Sequence, residues 1–407
     1  MNILLVIYEW PLGSPQTIRW MNLLRYFLEE GHSLAILSAK VEIADRPVDQ
    51  GLVDLVDLPT VQQHQVPARA RDHTSNEMLD WANRATKKAK ELCATNKFDL
   101  VLSSALPIGD TIVASRLKSA GLVPLWLADY GDPWSTSRTL GQAWWKKPIY
   151  KWLERRWLRH ADGLTITTET AKPSFTPIYD RHDRIFVVQM GASYFHMNKE
   201  WPPQRDEFET LRLLYTGSFY HTRRPDKLFE AIHQVEGVHL TIVGNHFIDI
   251  GEDIARYNLD GRVELRSQVD QQEIVELQGS HDALLLTAWP YPEQISGKFF
   301  EYVATNKPIL YVTNHERDLA GDYIREHDNG YICKDNSASI AQLLSHVRDQ
   351  ARAGQLKSPQ PDRATGFDSR AADLKRFIQA VGGNLQLVPA DRGVKEKADE
   401  TTEGVQV

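Results

Sequence analysis

Short apolar runs bounded by polar turns recur along this chain, separated by longer stretches whose apolar positions return every three or four residues. Ile3–Tyr8 is the first run, and the polar loop 9–17 follows it. A helical stretch then passes through Arg19, Leu23, Tyr26 and Leu28 and stops at Gly31; Leu34–Ser38 is the next strand. Leu100–Ser104, Leu125–Ala128 and Leu164–Thr168 read as further buried strands of the same sheet. Strands alternating with helices in this way predict parallel sheets built from βαβ units.

The pattern restarts after a proline-marked polar segment, Trp201-Pro-Pro-Gln-Arg-Asp-Glu, which has the composition of a linker. Strands follow at Leu211–Tyr215, His239–Val243, Ala283–Thr287 and Ile309–Val312, with helical stretches such as Lys227–Gln234 and Gln271–Leu277 between them. At 407 residues the chain exceeds one ordinary core and fits two of roughly 150–200 residues each. The expected architecture is α/β: a doubly wound domain over 1–200, a second over 201–382, and a polar tail over 383–407 that is expected to be disordered.

Composition narrows the function. Hydrophobic residues make up 42% and charged residues 25%, enough apolar material for two cores. A formal net charge of -7 gives no electrostatic support for a nucleic-acid partner. The two cysteines, Cys93 and Cys333, form neither a metal-spaced pair nor a disulfide framework, which fits a reducing cytoplasm. The first apolar run lacks a basic flank and a small-residue cleavage site, so it reads as a strand rather than a signal peptide. No stretch approaches the roughly 18 uninterrupted apolar residues of a membrane span.

Several chemistries lack their motifs. The chain contains no Gly-x-Gly fingerprint, phosphate loop, Gly-x-Ser-x-Gly elbow or His-Glu-x-x-His helix. It also has no Asp-x-Asp pair with which to hold a catalytic metal. Open α/β sheets bind ligands at the carboxyl ends of their strands. Two such sheets facing each other would place the chemistry in the cleft between them, on the loops after the strands.

One such loop is distinctive: Tyr291-Pro-Glu-Gln-Ile-Ser-Gly-Lys-Phe-Phe-Glu-Tyr-Val-Ala-Thr-Asn-Lys-Pro-Ile-Leu, after the strand Ala283–Thr287. It predicts a helix from Gly297 to Thr305 with Ser296 as N-cap, ended by Asn306 and Pro308. The free amides at the start of a helix favour an anion, Gly297 permits close approach, and Lys298 adds a charge. Glu301 lies three residues on, on the same face, where a carboxylate can accept hydrogen bonds from two ribose hydroxyls. Glu293 precedes the helix. A solvated pair between Lys298 and Glu301 accounts equally well for the spacing.

That stretch resembles the donor-binding helix of GT-B glycosyltransferases of glycosyltransferase family 4, in which two glutamates with seven residues between them mark retaining enzymes. The resemblance implies that Glu301 binds the nucleotide ribose and that Glu293 contacts the donor sugar. A second segment, Leu214-Tyr-Thr-Gly-Ser-Phe-Tyr-His-Thr-Arg-Arg-Pro, is similar to the family's strand and turn that grip the diphosphate. It implies a turn at Gly217 and a basic contact at Arg223, although Ser218 stands where many members carry arginine. The segment Pro11-Leu-Gly-Ser-Pro-Gln-Thr-Ile-Arg resembles the family's first loop, with Gly13 allowing close approach to donor phosphates or sugar. Asp129-Tyr-Gly-Asp-Pro-Trp resembles a loop of members that build polysaccharide and lipid-linked glycans. Asp132 is there expected to orient acceptor or donor, with a turn aspartate before Pro133 as the alternative.

The resemblance covers about residues 3–380 and implies sugar transfer from a nucleotide-diphosphate donor to a glycan or lipid-linked acceptor. It implies retention and no metal or other cofactor, with a UDP-sugar favoured over a GDP-sugar. A nucleotide-sugar epimerase on the same fold and a silent sugar-nucleotide-binding protein are the competing readings. Residues 144–160 hold six lysines and arginines against Glu154, and four of the eleven tryptophans. Such a segment suits an anionic membrane surface, which would place a cytoplasmic enzyme at the inner face of the membrane. Tryptophans packed on the sheet, with the basic groups facing water, are the other reading.

Overall fold

The computed structural model describes residues 1–40, 48–54, 57–68, 75–105, 107–136, 143–197, 199–205, 209–220, 223–245, 248–289, 291–292, 294–362, 375–376 and 378–379. The tail expected over 383–407 lies outside them. Two parallel sheets carry the fold. The first contains β1 (Asn2–Val6), β2 (Ser33–Lys40), β3 (Val61–Pro67), β4 (Leu100–Ser104), β5 (Leu125–Tyr130), β6 (Gly163–Ile166) and β7 (Ile185–Val187). Its order is β3-β2-β1-β4-β5-β6-β7. The second contains β8 (Leu211–Thr216), β9 (Val238–Val243), β10 (Val263–Arg266), β11 (Ala283–Thr287), β12 (Ile309–Val312) and β13 (Gly330–Cys333), ordered β10-β9-β8-β11-β12-β13. This is the expected pair of doubly wound, Rossmann-like units.

Burial explains why the strands read as apolar runs. Leu4 and Val6 of β1 join a core with Trp81, Ile112 and Trp126 on one side of the sheet, while Ile3 and Leu5 join Trp20, Leu24 and Phe27 on the other. Both faces are covered by helices, so each central strand is apolar throughout. In the second sheet, Leu213 and Tyr215 pack on one face and Leu214 on the other. The helix Pro15–Glu29 starts where the Ser14 hydroxyl accepts from Thr17 N at 3.2 Å, and it ends at Gly31 with φ +75°.

Four strands absent from the sequence reading, β3, β7, β10 and β13, are the edges of the two sheets. Edge strands bury less: six of the seven residues of β3, Val-Gln-Gln-His-Gln-Val-Pro, are partly or fully exposed. The helix expected over Gly297–Thr305 spans Gly297–Val303.

In each sheet the order reverses beside the first strand, between β1 and β4 and between β8 and β11. At such switch points the loops diverge and leave a crevice. The two crevices meet across the cleft, and the sides touch at its rim. Gln268 Nε2 donates to Gly13 O at 2.9 Å, and Gln271 N donates to Asp49 Oδ2 at 3.0 Å. Farther along, the chain returns to the first unit: Ile378 is 5% exposed and packs with Ile3, Leu5 and Val188.

Candidate active site

Gly217 follows β8 with φ +142°, in the region that glycine alone adopts readily. Its missing side chain is filled by another residue: a Cβ there would stand 1.8 Å from Lys298 Nζ. The Lys298 ammonium therefore lies directly over the turn, 5.4 Å from the centre of the Tyr215 ring. Arg223 also reaches that ring, 6.0 Å from the centroid, and donates from Nη2 to Tyr215 Oη at 2.8 Å. The ring of Trp289, just beyond β11, has its centre 5.6 Å from the same guanidinium.

Two cations gathered on one aromatic ring oppose each other. Burial, and next the charge of Arg223, push the Lys298 ammonium down to about 7, while Glu301 acts in the opposite direction. Burial also raises the Glu301 carboxyl to about 7, against the pull of Lys298 and of the Gln278 amide. Lys298 and Glu301 thus act on each other electrostatically, and both are partly buried. This differs from a solvated surface pair, in which neither group would be so displaced. The helix that carries them is fixed from below, because Tyr302 Oη accepts from Thr216 N at 3.1 Å and lies 2.9 Å from Thr216 Oγ1.

The remaining expected residues are distributed as follows. Ser296 occupies the N-cap position, but its hydroxyl makes no capping bond, so the anticipated capping interaction is absent. Gly297 is closely approached by Met190, whose Cε would be 3.3 Å from a Cβ at that position. Gly13 does not face an open donor space: the amide of Gln268 lies against it, with a Cβ contact of 2.6 Å. Gln268 Oε1 in turn accepts from Asn245 Nδ2 at 2.9 Å. The short glycine allows the two sides of the cleft to meet. Glu293 lies outside the described residues.

Asp132, after β5, accepts from Gln294 Nε2 at 2.6 Å across the cleft. Burial raises its carboxyl above the usual range, and the Gln294 bond works against that rise. Its loop is held from behind. Glu154 is buried and accepts from Trp134 N at 2.8 Å and Ser135 N at 2.9 Å. Trp134 packs on Tyr150 and Trp157, with ring centroids at 4.6 Å and 5.9 Å. Asp129, at the end of β5, forms a buried ion pair with Arg19, Nη2 to Oδ1 at 2.8 Å, and accepts from Thr165 Oγ1 at 2.6 Å. Arg19 Nη1 also donates to Gln189 O at 2.7 Å, fixing the segment after β7.

Sequence reasoning did not single out Tyr215, Trp289, Gln294 or Gln278. Tyr215 and Gln294 each lie within two residues of an expected site residue. Trp289 and Gln278 gave no local signal, because their roles depend on the packing of separate helices and loops.

The helix Lys147–Leu158 follows a turn, Trp144–Lys146, on the outside of the first unit. Trp144, Trp145, Ile149 and Trp152 are exposed, Trp144 by 82%, and only Trp157 of the four tryptophans packs inward. No helix among the described residues is long and apolar enough to cross a membrane.

Two parallel Rossmann-like sheets with switch-point crevices face to face define the GT-B class. Solved structures share this fold over nearly their whole length. Sucrose-phosphate synthase of Thermosynechococcus elongatus superposes with a TM-score of 0.68 at 13% identity, covering 94% of this chain and 99% of that one. HepE of Anabaena, solved with UDP and glucose, gives 0.68 at 12%, covering 93% and 100%. A putative UDP-N-acetylglucosamine 2-epimerase of Listeria monocytogenes gives 0.56 at 12%, covering 93% and 96%. No curated protein matches the sequence. Residues 198–356 match the family model of glycosyl transferases group 1.

Proposed function

We propose that the protein transfers a sugar from a nucleotide-diphosphate donor, with retention and without a metal, and that the donor is a UDP-sugar. The carrying observation is the convergence of Arg223 and Lys298 on Tyr215 beside the Gly217 turn, with the ammonium held near 7. Two cations forced together are relieved by an anion between them, and a diphosphate supplies two negative charges. Glu301, on the same helix, suits the ribose hydroxyls. The solved HepE with UDP and glucose shows that the fold accommodates such a ligand in that protein.

In the reaction, the C1–phosphate oxygen bond breaks as the acceptor oxygen bonds to C1 on the same face. The acceptor proton passes to the leaving phosphate oxygen. Arg223 and Lys298 stabilise the charge that develops there. Asp132, with its carboxyl raised by burial and directed across the cleft, orients the incoming hydroxyl, and Glu293 contacts the donor sugar. Donor specificity is tested by thermal shift with UDP-, GDP- and ADP-sugars, since a ligand stabilises as the logarithm of its concentration over Kd. UDP release measured with and without acceptor then separates transfer from epimerisation. UDP-sugars that neither stabilise the protein nor are consumed would remove this reading.

The acceptor is proposed to be lipid-linked. Three exposed tryptophans, Ile149 and the basic residues of 144–160 form one outward surface, and the headgroup region favours this composition. Glu154 ties that surface to the Asp132 loop. Binding to anionic vesicles should fall with salt and with Lys146→Glu plus Lys147→Glu. Equal partitioning of wild type and double variant would leave a soluble acceptor.

A further inference from the structure

Tyr215 lies at the end of β8, just before the Gly217 turn, and is 1% exposed. Its ring stacks on Phe219, with centroids 4.6 Å apart and planes 15° from parallel. The backbone of Arg223 is held close by. Arg223 N donates to Tyr220 O at 2.9 Å, and Tyr220 N donates to Arg223 O at 3.3 Å. Ring and backbone are both fixed, so the long arginine side chain is the part whose placement still has to be set.

Arginine carries five donors and no acceptor. Among the described residues, the guanidinium of Arg223 bonds one protein acceptor, Tyr215 Oη, from Nη2 at 2.8 Å. Its Nε is buried and has no partner among them. The phenol oxygen therefore accepts, and its own hydrogen is directed to Ser218 O, 3.5 Å away in the turn. The guanidinium is a planar, rigid fork, so one bond of this kind sets the direction of the whole group and leaves the Nη1 hydrogens for a ligand. The Trp289 ring, centred 5.6 Å from the guanidinium carbon, confines it further. Lys298 Nζ lies 5.4 Å from the centre of the same Tyr215 ring.

We propose that Tyr215 is the positioning residue for Arg223: its hydroxyl fixes the plane of the guanidinium, and its ring keeps the Lys298 ammonium at a set place beside it. The inference rests on the assignment of these two cations to a diphosphate. The cations then meet the diphosphate as one fixed pair, and the side chain that fixes them touches no ligand atom itself.

The test uses calorimetric binding of UDP and of inorganic pyrophosphate to the full chain. Tyr215→Phe keeps the ring, its stacking on Phe219 and its contact with Lys298, and removes the hydroxyl alone. It is expected to weaken UDP and pyrophosphate by the same factor, about tenfold. In an Arg223→Met background, Tyr215→Phe should cost little further, because the group it directs is gone. A hydroxyl that only supported the Gly217 turn through Ser218 O would cost the same in both backgrounds. Should Tyr215→Phe fail to fold, Arg223→Lys decides the question, since it keeps the charge and loses the planar fork. It is expected to weaken both ligands, and undiminished affinity in it would overturn the proposal. Wild-type affinity in Tyr215→Phe, a loss confined to UDP, or an equal loss in the Arg223→Met background overturns it as well. A wild type that binds neither UDP nor pyrophosphate would instead overturn the diphosphate assignment on which it rests.

Discussion

Replacing Gly217 by alanine probes the anion site through a single methyl group. The backbone at φ +142° is strained for any side chain, at a cost of about 1–3 kcal/mol. The new Cβ would also stand 1.8 Å from Lys298 Nζ and 2.7 Å from its Cε, where ordinary contact begins at 3.4 Å. The lysine end is flexible, so it retreats by about 1.5 Å rather than breaking the fold. A hydrogen bond to phosphate does not survive such a displacement, and a charge-assisted bond is worth about 1.5–3 kcal/mol. UDP affinity should therefore fall roughly 10- to 150-fold. The strain lowers the melting temperature by about 2–12 °C. Titration calorimetry with UDP and a thermal melt read the two effects separately. The two losses should also be non-additive: in a Lys298→Met background, Gly217→Ala should cost little further affinity, because the atom it displaces is gone. Full UDP affinity in Gly217→Ala, or additive losses in the double variant, would refute the proposed contact.

Three further outcomes are expected. Lys298 titrates near 7 before ligand binds, against an ordinary 10.5, and a bound diphosphate raises it again. UDP binding should consequently take up protons above pH 7 and weaken there by up to about tenfold per pH unit; buffer-independent binding heats at pH 8 would contradict this. Arg19→Met strands Asp129 in a buried site, which costs about 3–5 kcal/mol of stability, and Asp129→Asn in the same chain should recover part of it. A denaturation midpoint unchanged by Arg19→Met would argue against the ion pair as a structural tie. Transfer activity should persist in excess EDTA, and a strict requirement for manganese or magnesium would exclude the metal-free mechanism.

What the sequence disclosed follows from burial. All nine strands read from apolar runs are interior strands, covered on both faces by helices and therefore continuous in hydrophobic pattern. The four that were missed are edges, where a polar run such as Val61–Pro67 pairs on one side only. At the site, Gly217, Arg223, Lys298 and Glu301 were legible because they cluster on two short segments that resemble a family pattern. Trp289 was not, because it is far from Arg223 in the chain and only tertiary packing makes them neighbours. Gly13 was legible as a close-approach residue but not in what approaches it, since Gln268 lies 255 positions away. Local patterns identify groups capable of chemistry; long-range packing decides which groups support them.

The return of the chain at Ile378 has a mechanical consequence. A unit attached by one linker can swing and twist about any axis through that point. Here the polypeptide leaves the first unit after Val187 and comes back to it, with Ile378 seated among Ile3, Leu5 and Val188 and Lys375 3.9 Å from Glu30. Two attachments define a line, and rotation about that line is the motion that separates neither. Any opening of the cleft that kept both attachments would turn about that line and part Gln294 from Asp132, whose bond spans the two sides.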